Sequence, residues 1–352
     1  MLNKWEVFFL IVIGIAVMGH VVITPLMLDI AGRDGWISIF LSLPFALLFA
    51  YVIYRLRIKY PNKDFIGLST HLLGKTGGFL LLVILLLYFL FLIVFSVALL
   101  TDFIYIAFLP ETPEYAILIW FMIFFAYAAW KGIKSIALTA GVLTVIAMFA
   151  GHMITLLDTR LKDWGELRPF LEFGMEPVLW GMLLLISIWV ELLFLFFLPV
   201  RDLKEKRTFL FWSAGIFLNA LFMVSTFTGT ITIFGMGQAD NFLYPALESV
   251  RIISLGFIDR FDIYGLILMC IGIYIRCSLY FRIVYNQVAS NISSKPVKYT
   301  IFIIFIILIS IGAYFFTRDH FLLEQILHYY AYAVILFPIP FLLWIISYSK
   351  NK

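Results

Sequence analysis

The chain has 352 residues, of which 64% are hydrophobic and only 13% are charged, and its mean hydropathy is +1.05. A soluble protein of this composition would expose far too much apolar surface, so the soluble classes are excluded. The net charge of +4 says little by itself, because in a membrane protein the positions of Lys and Arg matter more than their sum.

Ten apolar runs are long enough to cross a bilayer, which requires about 20 residues. They lie at roughly 5–28, 36–55, 79–108, 115–131, 136–157, 177–199, 208–234, 261–286, 298–316 and 328–348. The runs are continuous rather than alternating, which favours helices over an outer-membrane barrel. We therefore expect an all-α integral membrane protein with ten transmembrane helices, forming a single domain over residues 1–352.

The distribution of basic residues predicts the orientation. With the N-terminus in the cytoplasm, most Lys and Arg residues, including the cluster between Arg55 and Lys75, lie on the cytoplasmic side. Both termini are then cytoplasmic. Charge beside a span is explained by topology or by anionic lipid headgroups, so we expect no nucleic-acid partner.

The first span contains a predicted interruption. Pro25 removes a backbone donor and restricts Thr24, while Gly19 lowers helix stability. A broken helix at membrane depth is tolerated only where it lines a cavity or is buried in protein. His20, within this stretch, could bind substrate or carry a proton, but a packed core histidine is an equal alternative.

Several polar residues are expected near the external side. Residues 29–36 are interpreted as an external loop and residues 158–176 as a surface connection that could form a short interfacial helix and act as a lid. Asp102 could contact water or gate access, or it could be a surface carboxylate that reaches the headgroups. His152, in the fifth span, is interpreted as structural.

The sixth span carries Glu191 near its middle, with Ser187 four residues earlier on the same helical face. A carboxylate at the bilayer centre costs roughly 2.5–3.5 kcal/mol, so it faces a bundle interior, a partner or a water-filled cavity. Glu191 is the first functional candidate. The alternative is that it only joins helices through a hydrogen bond or ion pair.

Arg276 lies about fourteen residues into the eighth span, too deep to reach the surface easily. Glu191 is the other charge predicted near mid-membrane, so we hypothesise that the two side chains pair or share a cavity.

The ten spans divide into two sets of five, and an odd number inverts the second set relative to the first. Candidate interruptions in spans one and six occupy corresponding positions, which is the best sequence indication of a midplane site in inverted-repeat transporters. No internal sequence identity supports the repeat.

The remaining chemistry is sparse. Cys270 and Cys277 are seven residues apart on one predicted helix, too far to bridge, and are expected to be reduced packing residues. We find no metal-ligand spacing, no cofactor motif and no ordered nucleophile, base and acid, so no enzyme is expected.

Five motifs occur in an order that resembles a known family. They are Gly19-His20-Val21-Val22-Ile23-Thr24-Pro25, Ala31-Gly32-Arg33-Asp34-Gly35-Trp36, Leu167-Arg168-Pro169-Phe170, Phe197-Leu198-Pro199 and Ile258-Asp259-Arg260-Phe261-Asp262. Together they resemble the permease-like B subunits of spore germinant receptors, a branch of the amino acid–polyamine–organocation transporter superfamily, over essentially the whole chain.

The resemblance implies a LeuT-like 5+5 inverted repeat with broken helices 1 and 6, helices 1–5 over about 5–157 and helices 6–10 over about 177–348. It also implies a nutrient receptor in the spore inner membrane or cell membrane, working with A and C subunits and binding an amino acid or similar nutrient between spans one, three, six and eight. The alternative is a proton- or cation-coupled amino acid permease. The expected ligand-binding residues are Gly19, His20, Val21, Thr24, Ser96, Ser187, Ile188, Trp189, Glu191, Tyr274 and Arg276. Pro25 and Asp102 are the expected hinge or gating residues.

Overall fold

A computed structural model describes residues 1–201, 203–253, 261–290 and 292–350. Within these ranges the chain is helical, and the β pairing is an isolated bridge between Leu2 and Val200. The Ile258–Arg260 part of the fifth family motif lies outside the described residues.

The first half of the chain forms six α-helices. They are α1 (Lys4–Val17), α2 (Thr24–Ala31), α3 (Gly35–Lys59), α4 (Phe65–Ala107), α5 (Glu114–Lys131) and α6 (Ile133–Leu157).

The described residues of the second half form eight more. They are α7 (Glu176–Trp189), α8 (Lys206–Phe234), α9 (Met236–Ala239), α10 (Pro245–Arg251), α11 (Asp262–Ala289), α12 (Lys295–Thr317), α13 (His320–Tyr330) and α14 (Pro338–Ser349).

Ten helical stretches in the described residues are long and apolar enough to cross a membrane, which agrees with the expected number. Several spans depart from a plain α-helix: α1 continues into a π-helical segment at Met18–Val22, α7 continues into a 3₁₀ segment at Val190–Phe196, and α13 and α14 are joined by a 3₁₀ segment at Ala331–Leu336. The third span is longer than expected, because α4 also includes residues before a kink at Gly74, whose φ of 79° suits glycine.

Two of the expected connections differ from the structure. Residues 29–36 are not an open loop: Asp29–Ala31 finish α2, Gly32–Asp34 form a 3₁₀ turn and α3 begins at Gly35. The 158–176 connection forms two short 3₁₀ turns, Asp158–Leu161 and Trp164–Leu167, rather than one interfacial helix. Sequence reasoning also missed α10, a short helix in the connection between α8 and α11, where Pro245 at the first turn favours helix initiation.

The buried hydrophobic residues form one large cluster between the spans and a small second cluster around Ile154 and Val250. α1 packs against α8, α11 and α6, α3 packs against α7 and α8, and α4 packs against α11 and α12. Close approach depends on small residues. At Gly272, a Cβ would lie 1.9 Å from Val17 Cγ2, so this glycine lets α11 contact α1 directly. α1 therefore packs against three other helices, α6, α8 and α11. These contacts position the candidate site.

Candidate functional site

The end of the first span is π-helical, and the π segment ends three residues before Pro25. Proline has no N–H, so it cannot donate to a carbonyl in the preceding turn. The Ile23 N–H instead donates to the Met18 carbonyl at 3.0 Å, five residues back, and the Thr24 hydroxyl donates to the His20 carbonyl at 2.8 Å. The interrupted stretch is thus wound and hydrogen-bonded, and π segments of this kind are frequent at functional sites.

Gly19 contributes packing space at this segment. A Cβ there would lie 2.0 Å from Met223 Cε, so the Met223 side chain of α8 occupies the position that a larger residue would need. Gly19 is buried against α8, and it is not among the residues that line the cavity described below.

Glu191 and Arg276 form a buried ion pair. Both side chains are fully buried, the Arg276 Nη2 donates to Glu191 Oε1 at 2.7 Å, and Nη1 donates to Glu191 Oε2. The hypothesised pairing is therefore observed as a two-pronged contact, the geometry in which a guanidinium and a carboxylate interact most strongly.

Three hydroxyl groups and one carbonyl complete this cluster. Tyr280 donates to Glu191 Oε2 at 2.7 Å and Tyr330 donates to Oε1. Arg276 Nε donates to the Ser96 hydroxyl at 2.9 Å, and Nη1 also approaches the Gly14 carbonyl at 3.3 Å. We call Glu191, Arg276, Tyr280, Tyr330, Ser96 and the Gly14 carbonyl the charge cluster.

The charge cluster joins spans one, three, six, eight and ten. Its residues come from the four spans between which the family resemblance implied a ligand site, and also from span ten. The polar atoms of the cluster are already paired with one another. A buried pair needs such partners, because an unpaired charge in a low-dielectric interior is costly. A ligand could reach Glu191 only by displacing one of them.

The other predicted residues of the sixth span make structural contacts. The Ser187 hydroxyl donates to the Ala331 carbonyl at 2.6 Å, and Trp189 Nε1 donates to the Ser42 hydroxyl at 2.9 Å. Ile188 is fully buried. These bonds tie the sixth span to the 3₁₀ segment of the tenth and to α3.

A separate cavity of about 390 Å³ is lined by Val12, Ile13, Ala16 and Val17 of α1 and by none of the charge-cluster residues. Its walls come from α1, the π segment, α6, α8, α10 and α11, and we call it the inner cavity. The volume is within the usual range for small-molecule sites. Of the predicted ligand-binding residues, His20 and Val21 line it, and the rest do not.

Three buried wall atoms of the inner cavity have no hydrogen-bond partner: the hydroxyl oxygen of Thr144, His20 Nε2 and Asp158 Oδ1. The Thr144 side chain is fully buried, and Asp158 Oδ1 forms an ion pair with Lys162 Nζ. The His20 ring lies near Asn219 and contacts the edge of Phe222, with centroids 5.7 Å apart. Buried polar groups are usually satisfied, so the Thr144 hydroxyl and His20 Nε2, beside the Asn219 amide, are the uncharged polar groups of this wall with which we expect a bound molecule to pair.

Sequence reasoning missed Thr144 and the two tyrosines of the charge cluster. Tyr280 stands four residues after Arg276 and so shares its helical face, which was a usable signal. Thr144 was one of several hydroxyls in apolar spans, and nothing in the sequence separated it from the others. His152, interpreted as structural, is exposed and also lines the inner cavity.

Asp102 is not a surface carboxylate, since it is only 3% exposed. Its Oδ2 accepts a hydrogen bond from Tyr244 at 2.7 Å and contacts His320 Nδ1 at 2.9 Å. Burial, followed by the neighbouring Asp102 charge, raises the pKa of Tyr244 well above its ordinary value. Tyr244 immediately precedes α10, so this contact anchors one wall of the inner cavity to α4.

The remaining predicted residues lie elsewhere. Tyr274 is half-buried and its ring lies 6.2 Å from that of Phe125. Both cysteines are free thiols, Cys277 buried and Cys270 partly buried. In the described ranges no group of three or more His, Cys, Asp or Glu residues is placed to hold a metal ion.

Known proteins are similar to the chain over most of its length. The family model described as spore germination protein matches residues 1–320. The chain is 30% identical to spore germination protein XB of Bacillus anthracis over 283 residues, covering 79% of this chain and 78% of that protein. It is 24% identical to spore germination protein KB of Bacillus subtilis, covering 77% and 74%, and 21% identical to spore germination protein A2 of the same species, covering 91% and 87%. With ten apolar helices in the part of the chain that the structure describes, this chain is a multi-pass membrane protein of the permease-like spore germination family, as the ordered motifs indicated.

Proposed function

We propose that this chain is the nutrient-binding subunit of a germinant receptor, which binds a small molecule such as an amino acid and triggers spore germination together with A and C partner subunits. The observation that carries the proposal is the inner cavity beside the π segment, with the unpartnered Thr144 hydroxyl and His20 Nε2 on its wall. A pocket that is mostly apolar with a few polar groups is typical of a small-molecule site.

The position of α1 supports a route for the signal. Val12 and Ala16 of this helix line the inner cavity, while the carbonyl of Gly14 contacts Arg276 in the charge cluster. Asn219 fixes the same turn of α1 by donating to the carbonyls of Ile11 and Val12, both at 2.9 Å. A ligand that preferred one position of α1 would therefore change the strain on the charge cluster, and the equilibrium shifts only as far as its affinity differs between the two states.

The proposal includes a LeuT-like arrangement of two inverted five-span repeats. Its support is that irregular helical segments occur at Met18–Val22 in the first span and at Val190–Phe196 in the sixth, which are corresponding positions. We also propose cytoplasmic termini and residence in the spore inner membrane. The 158–175 connection and α10 would then lie on the external side, where a nutrient arrives.

The test is germination of spores that carry this chain with its A and C partners as their sole receptor. We expect Thr144→Val to raise the nutrient concentration for half-maximal response by about fivefold to tenfold, since one hydrogen bond contributes about 1 kcal/mol. Thr300→Val is the matched control, because Thr300 is exposed and its hydroxyl bonds only to the Pro296 carbonyl at 3.1 Å. Equal dose–response curves for both variants would reject the inner cavity as the nutrient site.

A coupled amino acid permease is the alternative, and the same chain tests it. Uptake of labelled amino acids into proteoliposomes under a proton gradient, abolished when the gradient is dissipated, would identify a permease. Absence of uptake by protein that still binds the nutrient would favour the receptor. The fully paired state of Glu191 favours the receptor, because this carboxylate has no vacant position for an exchanging proton.

A further inference from the structure

The inner cavity adjoins a second depression, of about 480 Å³, between α6, α8 and the 158–175 connection. We call it the loop groove; its own wall includes Trp36, Lys162, Trp164 and Phe170. Three residues, Thr155, Leu221 and Ser225, line both spaces. The two spaces are therefore neighbours along the same interface between α6 and α8.

An ion pair stands at their boundary. Asp158 lines the inner cavity, and Lys162, four residues later, lines the loop groove. Asp158 Oδ1 and Lys162 Nζ lie 2.6 Å apart, with side chains 7% and 5% exposed. Lys162 lies against α8 at Gly229, where a Cβ would be 3.8 Å from its Cε.

The backbone holds the pair in this position. The Asp163 N–H donates to the Thr232 carbonyl of α8 at 2.7 Å, so the turn that carries Lys162 is fixed across the interface. Surface ion pairs contribute little, but these side chains are more than nine-tenths buried. Asp158 on the cavity wall and Lys162 on the groove wall therefore place both charges beside this boundary.

We propose that the loop groove is the entrance to the inner cavity and that the Asp158–Lys162 pair closes it selectively, admitting small zwitterions with apolar side chains. The choice of a zwitterion as the admitted molecule rests on the proposed function, whereas the passage between the two spaces does not. A zwitterion offers an ammonium to Asp158 and a carboxylate to Lys162 as their mutual contact opens. A molecule with one charge or none leaves at least one buried partner uncompensated, which is costly.

The passage is tested by thiol labelling in sealed proteoliposomes. Cys270 and Cys277 are replaced by Ala, and Thr226→Cys places one thiol on the inner cavity wall, away from the loop groove. A membrane-impermeant anionic methanethiosulfonate is added on the side of the 158–175 connection. We expect Asp158→Ala, which opens the pair and leaves Lys162 to attract the anionic reagent, to speed labelling of the Thr226→Cys thiol by about fivefold or more, a change of about 1 kcal/mol in the barrier. Lys162→Ala also opens the pair but leaves the Asp158 carboxylate to repel the reagent, so we expect a smaller acceleration.

Controls separate gating from general loosening. Thr159→Cys reports on the loop groove itself, and its labelling should not change. Lys204→Ala removes an exposed lysine and should leave both thiols unaffected. An unchanged Thr226→Cys rate in Lys162→Ala and in Asp158→Ala would overturn the entrance, as would equal acceleration at both reporters.

Selectivity is tested with three molecules of similar shape: L-valine, which is a zwitterion, valinamide, which is a cation, and isovalerate, which is an anion. We expect L-valine to slow Thr226→Cys labelling most when the pair is intact, and this preference to disappear in Lys162→Ala. If all three molecules slowed labelling of the Thr226→Cys thiol equally, or if none slowed it, selective closure by the ion pair would be rejected. Gated labelling with a normal Thr144→Val germination response would reject only the proposed nutrient site, whereas an altered response without gated labelling would reject only the entrance.

Discussion

Glu191 Oε1 and Arg276 Nη2 lie 2.7 Å apart although 85 residues separate them in the chain, and this pair lies where five spans meet. Both oxygens of the carboxylate also accept a tyrosine hydroxyl. The cluster is therefore an internal joint whose opening requires several bonds to break together.

Removing one member of the pair should destabilise the protein strongly. Arg276→Met leaves a buried carboxylate with only the tyrosines as partners, and we expect a loss of about 3–5 kcal/mol. Thermal unfolding of the purified protein in detergent measures this loss. Removal of a neighbouring bond by Ser96→Ala should cost about 1.5–3 kcal/mol, because the Ser96 hydroxyl accepts from the charged guanidinium of Arg276.

The double variant Glu191→Leu with Arg276→Met distinguishes a charge effect from a packing effect. With both charges absent, we expect stability to recover to within about 1–2 kcal/mol of the parent protein, while the germination response is lost. If the double variant were as unstable as the sum of the single variants, the pair would contribute nothing beyond volume.

Replacing two glycines near the contact of α1 with α11 by alanine should change stability in opposite directions: Gly272→Ala should lower it and Gly14→Ala should raise it. Gly272→Ala places a Cβ 1.9 Å from Val17 Cγ2, and such overpacking costs about 1–3 kcal/mol. Gly14→Ala meets nothing within 4 Å and should stabilise the helix by about 0.5–1 kcal/mol. Unfolding temperatures of the two variants provide the comparison.

Val17→Ala checks the cause of the Gly272→Ala effect. Because Val17 Cγ2 is the atom that the new methyl group meets, trimming Val17 should restore most of the stability lost in Gly272→Ala. A double variant no more stable than Gly272→Ala alone would mean that the backbone, rather than this side-chain clash, sets the cost.

The sequence could predict features that follow from composition or from the cost of burying charge. Hydropathy predicts the ten spans. The pairing of Glu191 with Arg276 could be predicted because the sequence places no other charged partner for either residue near the middle of the membrane. Pro25 predicted where the first span departs from α-helix, but not that the segment stays wound with Thr24 bonding to His20. The conformation of this segment depends on its packing against α8, where the Met223 side chain fills the space beside Gly19.

The inner cavity could not be predicted, because a cavity is an absence of packing between helices whose rotations are unknown from one sequence. The family resemblance indicated spans one, three, six and eight, and these do meet at Arg276 and Glu191, but their polar groups satisfy one another. Thr144 and Asp158 lie on α6 and its extension, outside those four spans. Whether these two residues line the inner cavity depends on which face of α6 points toward α1 and α8, and the sequence does not specify this rotation.

Tyr244 should give the anchor of α10 an alkaline dependence. Burial and Asp102 raise the pKa of Tyr244, so the folded protein keeps a proton that the unfolded chain loses above its ordinary pKa of about 10. The stabilisation is then fully present below about pH 10 and declines as the pH rises toward the elevated folded-state pKa. Tyr244→Phe should be less stable by about 1.5–3 kcal/mol at pH 7.

The difference between parent and Tyr244→Phe unfolding temperatures, measured at several pH values from 7 to 11, isolates this contribution. We expect the difference to be constant through pH 9 and to narrow at higher pH. Phenylalanine keeps the ring contact with Phe103, whose centroid lies 4.8 Å away, so the difference reports the hydroxyl alone. A difference independent of pH throughout would contradict a phenol whose pKa is raised in the folded protein.

Filling the inner cavity should block the nutrient without unfolding the protein. Ala147 of α6 lines the cavity, and Ala147→Leu adds three carbon atoms to an open space, so we expect little change in unfolding temperature. A ligand that needs the same volume would then face an overpacking cost of about 1–3 kcal/mol, or about a fivefold to 150-fold higher nutrient concentration for half-maximal germination. Val142→Leu, on the same helix at a side chain that is 62% exposed, adds bulk toward lipid and should leave the response unchanged. An unaltered response in both variants would place the nutrient elsewhere, whereas equal loss in both would indicate that α6 tolerates no added bulk.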